Sequence, residues 1–470
     1  MEFSDKKLTP QLVCAIAAAG VMAFAGVTCE TALNITFPTL MREFSISTDA
    51  VQWLTTGYLL VLAIIVPASG WLKNNFSARR LFFAAEAFFI CGTLLCLAAD
   101  NFAMLLAGRL VQGLGTGIAM PLMFNLVLEE VPPQQAGLMM GFACMIPAMA
   151  PVAGPFFGGL IITYLGWRMI FAFLLPLLLL SLIAGFFTVP HRTRAAGQSF
   201  AFGDYIFLAA GFTLFILATS SSAQSGWLSL HVLTELLASF VLLGIFYKRS
   251  LRSKTPVFNV EILHNRAFTA GACALVLIYF TVLGLGFLIP CYAQLVFSTD
   301  PFTAGCLLLP GCIMGIMFTV LGGRLLDCYG ARLPIICGNL FMLCAVGAMA
   351  LLMPGAENFQ LAALYTIFAC GQAASISTTT LVAIRCLKEA DAAGGNAVIN
   401  TIQPLAGALG TSVCASVVAA SQKLLSGAAG TQAGTAHAFI LLAALTFGIL
   451  ACSLKMLGGK RSKALRGEAC

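Results

Sequence analysis

Polar residues punctuate this chain at long, regular intervals. Runs of 18 to 27 nearly all apolar residues alternate with short segments that carry most of the charge. A run of that length crosses a hydrocarbon core of about 30 Å as a helix, at about 1.5 Å per residue. The ten-residue alternation of a membrane barrel is absent. Fourteen spans follow, at 11–36, 52–72, 81–99, 102–126, 137–163, 168–189, 203–219, 230–247, 267–291, 302–323, 333–353, 360–384, 395–420 and 436–456. The fold class expected is an all-α polytopic membrane protein.

Composition agrees: 60% of the 470 residues are hydrophobic and 9% charged, against about 25% charged in soluble domains. The net charge of +7 would suit nucleic acid, but its placement argues for a bilayer and against a nucleic-acid partner. Of the 25 Lys and Arg residues, 21 fall in segments that an N-in, C-in chain leaves in the cytoplasm. Only Arg42, Arg168 and Lys423 fall outside, and Arg109 alone lies within a span. That asymmetry is the positive-inside signature, and it implies a multi-pass protein of the cell (inner) membrane. The 17 cysteines are scattered through apolar runs without CxxC pairs and read as small buried hydrophobes. His191, His231, His264 and His437 are too dispersed to hold a metal, and no cofactor is expected.

The halves of the chain repeat. Gly70-Trp-Leu72-Lys-Asn74-Asn-Phe76-Ser77-Ala-Arg79 joins spans two and three, and Gly323-Arg-Leu325-Leu-Asp327-Cys-Tyr329-Gly330-Ala-Arg332 joins spans ten and eleven. The offset between them is longer than six helices require, so two spans are inserted. A 6+2+6 plan follows: a six-helix bundle at 1–190, an inserted pair at 191–248, a basic linker at 249–266, a second six-helix bundle at 267–456 and a tail at 457–470.

Arg109 carries the first chemical signal. An arginine within a membrane helix costs roughly 2.5–3.5 kcal/mol on insertion scales, so it faces a partner or a wet cavity. Gly113, Gly115 and Gly117 are expected to leave one side of its helix bare for close packing. Three acids lie within spans. Glu30 sits at the depth of Arg109, about 10–12 Å below the outer surface by helix rise. It is either an exchangeable proton carrier or half of a static ion pair with Arg109. Glu86, near Arg79 and Arg80, reads as an interfacial acid, snorkelling or ion-paired. Glu235 reads as a lipid-edge or structural residue. In the fifth span, Pro151 and Pro155 remove two backbone donors among Gly154, Gly158 and Gly159, a composition expected to bend and gate.

These features together resemble the fourteen-helix drug/proton antiporters of the major facilitator superfamily, over nearly the whole chain. Arg109, Gln112, Gly113 and Gly115 are similar to that family's fourth-helix motif, and Gly154-Pro155-Phe-Phe-Gly158-Gly159 to its exporter motif. Thr31, Asn34 and Pro38 match the first-helix motif. Gln294, with Tyr292, and Asn400, with Thr401, follow the second half's pattern, and Gly70, Asn74, Arg79, Gly323, Asp327, Gly330 and Arg332 the cytoplasmic loop motifs. Three positions depart from the pattern. The first-helix acid has moved from position 29, here Cys29, to Glu30. Asn74, Ser77 and Ala78 replace Asp, Gly and Arg, and Gln403-Pro404 replaces Arg-Gln.

The resemblance implies a proton-coupled efflux transporter that exports amphipathic small molecules by alternating access. Glu30 and Arg109 would couple the proton, and Thr31, Asn34, Gln112, Gln294 and Asn400 would line the substrate cavity. A dedicated exporter of one metabolite, siderophore or lipid is the alternative, and a non-transporting receptor the second. The expected partners are small amphipathic substrates and the bilayer, with a periplasmic adaptor if the source has two membranes; the chain is expected to be monomeric. An enzyme is not expected: the chain carries no nucleophile elbow, metal set or phosphate loop.

Overall fold

The computed structural model describes residues 8–132, 135, 139, 142–143, 146, 149–190, 201–226, 228–253, 260–352, 357–425 and 427–458. Every regular element among them is helical, and thirteen helices are long and apolar enough to cross a membrane. They are α1 (Pro10–Phe44), α2 (Thr48–Asn75), α3 (Ala78–Leu97), α4 (Phe102–Glu130), α6 (Arg168–Thr188), α7 (Phe202–Ser225), α8 (Leu230–Ser250), α9 (Arg266–Val296), α10 (Pro301–Leu326), α11 (Arg332–Leu352), α12 (Asn358–Arg385), α13 (Glu389–Leu424) and α14 (Gly427–Leu457). A shorter α5 (Ala150–Tyr164) is the described part of the fifth expected span. Most of that span before Ala150, the loop 191–200, linker residues 254–259 and the tail beyond 458 lie outside the described residues.

Helix starts follow capping chemistry. Side-chain oxygens of Thr9, Ser77, Asn101, Ser229, Asn265 and Asp300 accept from backbone N–H groups in the first turns of α1, α3, α4, α8, α9 and α10. Each such cap satisfies donors that a helix start leaves without partners. The Thr303 N–H bonded to Asp300 holds that carboxyl below its usual range. At the other end of α10, Gly330 caps with φ of 76°, a backbone conformation that disfavours any side chain. Several helices outrun the apolar spans: α1 has 35 residues, about 52 Å at 1.5 Å per residue.

In the first half α1 packs against α4, α5 and α6, and α3 lies along α4; in the second α9 packs against α12, α13 and α14. The α3–α4 contact is backbone to backbone. A Cβ at Gly92 would lie 2.6 Å from Gly108 O, and one at Gly115 would lie 2.6 Å from Ala85 O. The α4 glycines, expected from the sequence to leave one side of the helix bare, do not share one side. Gly113 and Gly117 meet Val61 and Ile65 of α2, while Gly115 meets α3, because two residues along a helix is a turn of about 200°.

The halves meet through α1–α9, α2–α13 and α5–α10. Residues 32–38 of α1 and 287–293 of α9 are buried without a break. There the Phe37 and Phe287 rings meet at a tilt of 52° with centroids 6.0 Å apart. Gln294 Nε2 donates to Ile35 O at 2.8 Å, and Thr48 Oγ1 donates to Gln422 Oε1 at 2.8 Å. Toward the α1 N-terminus, Val13, Ala17, Val21, Phe24, Val27 and Thr31 form a half-buried stripe at helical spacing. The two halves are therefore sealed against each other at the end where α1 runs into α2, and toward the other end α1 is less completely buried.

The inserted helices pack on one another, and α7 lies against both α2 and α13. Buried polar groups stitch this three-helix seam. Gln52 Nε2 donates to Ser220 Oγ at 3.3 Å, Ser416 Oγ donates to Thr219 O at 3.1 Å, and the Thr219 and Ser412 hydroxyls lie 3.4 Å apart. Thr56 joins the Thr411 hydroxyl at 3.0 Å and also bonds Gln52.

Candidate functional site

Arg109 lies in the first half of α4 and is fully buried. Its guanidinium is held on several sides. Nε donates to Leu54 O at 3.2 Å, and Nη1 donates to Gln112 Oε1 at 2.7 Å and to Cys29 Sγ at 3.4 Å. The Tyr58 ring lies beneath it, 4.1 Å from Cζ to centroid. Gln112, one turn further along α4, donates through Nε2 to Thr93 Oγ1 at 2.8 Å, and Thr93 in turn donates to Phe89 O at 2.7 Å. The hub thus ties α1, α2, α3 and α4 around one fixed cation. Such a charge survives burial because hydrogen bonds and a π face replace its water. One donor is left over: Nη2 is buried without a partner among the described residues.

The direct Glu30–Arg109 pair expected from matching depth is not formed. Glu30 is buried on α1, 5% exposed, and feels Arg109 coulombically. Among the described residues it makes no ion pair or hydrogen bond. Arg109 instead addresses Cys29, the position at which the resembled family carries its acid. Depth along the helix was estimated correctly, but one residue turns a side chain by about 100°. Glu30 lies just below the sealed segment 32–38, where the half-buried stripe of α1 ends.

The other anticipated positions are distributed as follows. Thr31 is half-buried, bonds Val27 O at 2.9 Å, and faces α5 so closely that a Cβ on Gly154 would collide with its hydroxyl. Asn34 is buried and accepts from Thr55 Oγ1 at 2.9 Å, bracing α1 on α2. Gln112 belongs to the arginine hub, and Gln294 to the seal rather than an open cavity wall, because its amide reaches across to α1. Asn400 is half-buried on α13. Near it, Gln403 Nε2 donates to Tyr279 Oη at 2.7 Å, where the resembled family carries an arginine.

Pro151 occupies the first turn of described α5 and Pro155 its interior. Gly158 would place a Cβ 2.7 Å from Ala32 Cα, and Gly159 would place one 2.8 Å from Pro301 O. Helix α5 is therefore wedged between α1 and α10 at the sealed end, with Phe156 and Phe302 in edge contact. A gating bend is expected at these prolines; the described helix runs without a break from Ala150 through Pro155 to Tyr164.

At the opposite end, Gly70 and Gly323 have open space where a Cβ would stand. Arg79 Nη2 donates to Phe186 O at 3.0 Å, with its guanidinium over the Phe83 and Phe186 rings. Arg332 begins α11. Asn74 lies near the end of α2. The Asp327 side chain lies outside what is described. A link that the sequence did not announce joins Lys73 of α2 to Glu129 of α4 at 2.7 Å. Tyr58 and Thr93 were also missed, because an aromatic or a threonine on an apolar helix carries no distinguishing signal.

Glu86 departs from expectation. It neither snorkels nor pairs with Arg79; it is fully buried, and both carboxyl oxygens lack a hydrogen-bond partner among the described residues. Glu235 pairs with His231 one turn away, 3.3 Å from Nε2 to Oε1.

A membrane bundle of two halves that meet through α1–α9, α2–α13 and α5–α10, with a buried arginine hub in the first half, has the architecture of a membrane transporter. The sequence profile of the Major Facilitator Superfamily matches residues 16–411, and the chain belongs to that superfamily. It is 33% identical over 400 residues to the lincomycin resistance protein LmrB of Listeria monocytogenes, covering 85% of each chain. It is 28% identical over 405 residues to a multidrug resistance protein B homolog of Mycobacterium tuberculosis, covering 85% of this chain and 74% of that one. Among solved structures, a bacterial homolog of the human lysosomal transporter Spinster, inward-facing and unoccupied, superposes with a TM-score of 0.68 at 15% identity, covering 96% of this chain and 98% of the other. A peptide transporter in complex with sulfate gives 0.69 at 13% identity, covering 96% of each. These structural likenesses speak for the fold. The protein is a multi-pass transporter of the cell membrane and not an enzyme.

Proposed function

We propose that this protein is a drug/proton antiporter that exports amphipathic small molecules by alternating access, with lincosamides the first class to test. The supporting observation is the buried Arg109 hub, with an Nη2 donor unfilled among the described residues and the buried Glu30 carboxyl on α1 just below the α1–α9 seal. The charge distribution favours N and C termini inside, and the end opposite the seal then faces the cytoplasm. In this conformation no donor among the described residues reaches Glu30, and the buried carboxyl is carried as the neutral acid. Loss of its proton creates an anion that Nη2 is free to receive. That attraction reorders α1 against α2 and α4, directly under the α1–α9 seal. Proton release and seal opening then bias the same equilibrium, which is the linkage that antiport needs. The mostly aliphatic and aromatic stripe of α1 suits apolar faces of the cargo, and the Gln403–Tyr279 pair offers one polar contact.

The test uses proteoliposomes with an imposed pH gradient and labelled lincomycin. The wild type exchanges protons for drug, Glu30→Gln does not, and Arg109→Ala is impaired. Gradient-driven efflux at the wild-type rate in Glu30→Gln would overturn the coupling role. The relatives' names favour this reading over export of a single metabolite, which compound-panel transport would reveal.

A further inference from the structure

The inserted pair has no part in the mechanism above, yet it touches both halves. The pair is a unit in itself. Arg249 Nε of α8 donates to Asp204 Oδ1 of α7 at 2.5 Å, Ser239 Oγ donates to Gly211 O at 2.8 Å, and the Phe215 and Phe240 rings meet edge-on. Its docking on the two halves is unequal. Along α2 the ties of α7 run from end to end. Gln52 Nε2 donates to Ser220 Oγ at the sealed end; at the other, the Tyr205 hydroxyl donates to Ile64 O at 2.9 Å and the Phe202 ring meets Trp71. Between them Leu208, Phe212 and Ile216 of α7 share a buried cluster with α2 residues from Leu59 to Ala63, to which α13 adds Ala408. The polar ties of α7 to α13 lie at the sealed end, where Ser416 Oγ donates to Thr219 O and Ser412 lies beside the Thr219 hydroxyl.

The two sets of bonds differ in what parting them costs. Serine and threonine can return their proton to a carbonyl three or four residues back in their own helix. Thr219 already donates to Ile216 O at 2.9 Å, and Thr411 to Ala408 O at 3.0 Å, so these protons need nothing from the opposite half. Ser412 and Ser416 have the same recourse when α7 draws away. The tie to α2 at Tyr205 has none: a phenol reaches too far from its own backbone to bond back onto it, and lipid offers no replacement. Toward the second half, the Tyr247 hydroxyl of α8 lies 3.4 Å from His264 Nε2 in the linker, an exposed contact that water can replace.

We infer that the inserted pair is an arm of the first half: α7 and α8 travel with α2, and their outer end closes over α13 as a releasable part of the seal. When the halves rock, the hydroxyl contacts between α7 and α13 part together with the Thr48–Gln422 bond, while the contacts between α7 and α2 persist. An eight-helix body then moves against a six-helix one. The inference rests on the rocking of the halves proposed above, but not on Glu30 or on the identity of the cargo.

Double electron–electron resonance on the full-length protein in lipid nanodiscs tests this at the ends away from the seal. Nitroxides carried on a keto-bearing amino acid leave the native cysteines untouched. The labelled positions, all exposed, are Arg80 of the first half, Ile206 of α7 and Asn396 of α13. Two distance populations are expected for Arg80–Asn396 and for Ile206–Asn396, and one narrow population for Arg80–Ile206. Two populations for Arg80–Ile206, or one for Ile206–Asn396, would overturn the inference. The Arg80–Asn396 pair separates the causes. A single population there removes the rocking itself, whereas two populations beside a single Ile206–Asn396 distance assign the inserted pair to the second half. Thr219→Cys with Ser412→Cys, whose hydroxyls now lie 3.4 Å apart, should on oxidation collapse Arg80–Asn396 to one population that reverts on reduction. Two populations persisting in the fully cross-linked protein would show that this contact is no part of the seal.

Discussion

Gln112→Leu tests whether the hub is built as its geometry implies. The amide oxygen accepts from Arg109 Nη1 at 2.7 Å, and a hydrogen bond to a charged group contributes about 1.5–3 kcal/mol. Leucine fills nearly the same volume, so little is added for a cavity. The Thr93 hydroxyl keeps Phe89 O as its acceptor, and only the weak Cys29 thiol donor, 3.9 Å from Gln112 Oε1, loses its acceptor with the amide. Arg109 would retain Leu54 O, the Cys29 sulfur and the Tyr58 face, while Nη2 already lacks a partner among the described residues. The net cost comes to about 2 kcal/mol, roughly a 30-fold fall in the folded-to-unfolded ratio. Reversible unfolding of the purified protein in mixed micelles by SDS titration would measure it, with Gln112→Glu, which keeps the acceptor, as the variant expected to stay stable. A loss in Gln112→Leu below about 0.5 kcal/mol, the range of an inert surface change, would refute the idea that this amide supports the buried cation.

Cys29→Asp should place a carboxylate where Arg109 Nη1 already points, 3.4 Å from the present sulfur. In proteoliposomes Cys29→Asp combined with Glu30→Gln is expected to recover proton-driven efflux that Glu30→Gln alone loses. Gly330→Ala should cost about 1 kcal/mol because its φ is 76°, measurable by the same SDS titration, with transport rate unaffected. Cysteines introduced together at Thr48 and Gln422, whose side chains bond across the seal, are expected to form a disulfide on oxidation and to stop transport until reduced. Continued transport by the fully cross-linked protein would show that this seal need not open.

Much of the fold is legible in the sequence because the bilayer imposes a length on apolar runs. Arg109 was legible for a related reason: it is the one basic residue whose position the topology does not explain. Its partner was not. Placing Glu30 and Arg109 at one depth uses the helix rise alone, whereas the contact depends on rotation, and rotation gives Arg109 to Cys29. Glu86 was misread through proximity in sequence to Arg79, whose side chain runs to Phe186 of another helix. Tyr58, Thr93 and the Leu54 carbonyl came together only on packing, since each is unremarkable in its own segment.

The seam of Gln52, Thr56, Thr219, Ser220, Thr411, Ser412 and Ser416 bears on how the inserted pair could be lost or gained. Cutting out α7 and α8 would not yield a smaller transporter of the same kind. It would turn Gln52, Ser412 and Ser416 from bonded core into polar groups facing lipid, where unsatisfied donors are heavily penalised. A twelve-helix derivative would need those positions rewritten as apolar residues before it could insert stably. The extra helices are thus written into the faces of α2 and α13, and their removal is a problem of surface chemistry on helices that remain.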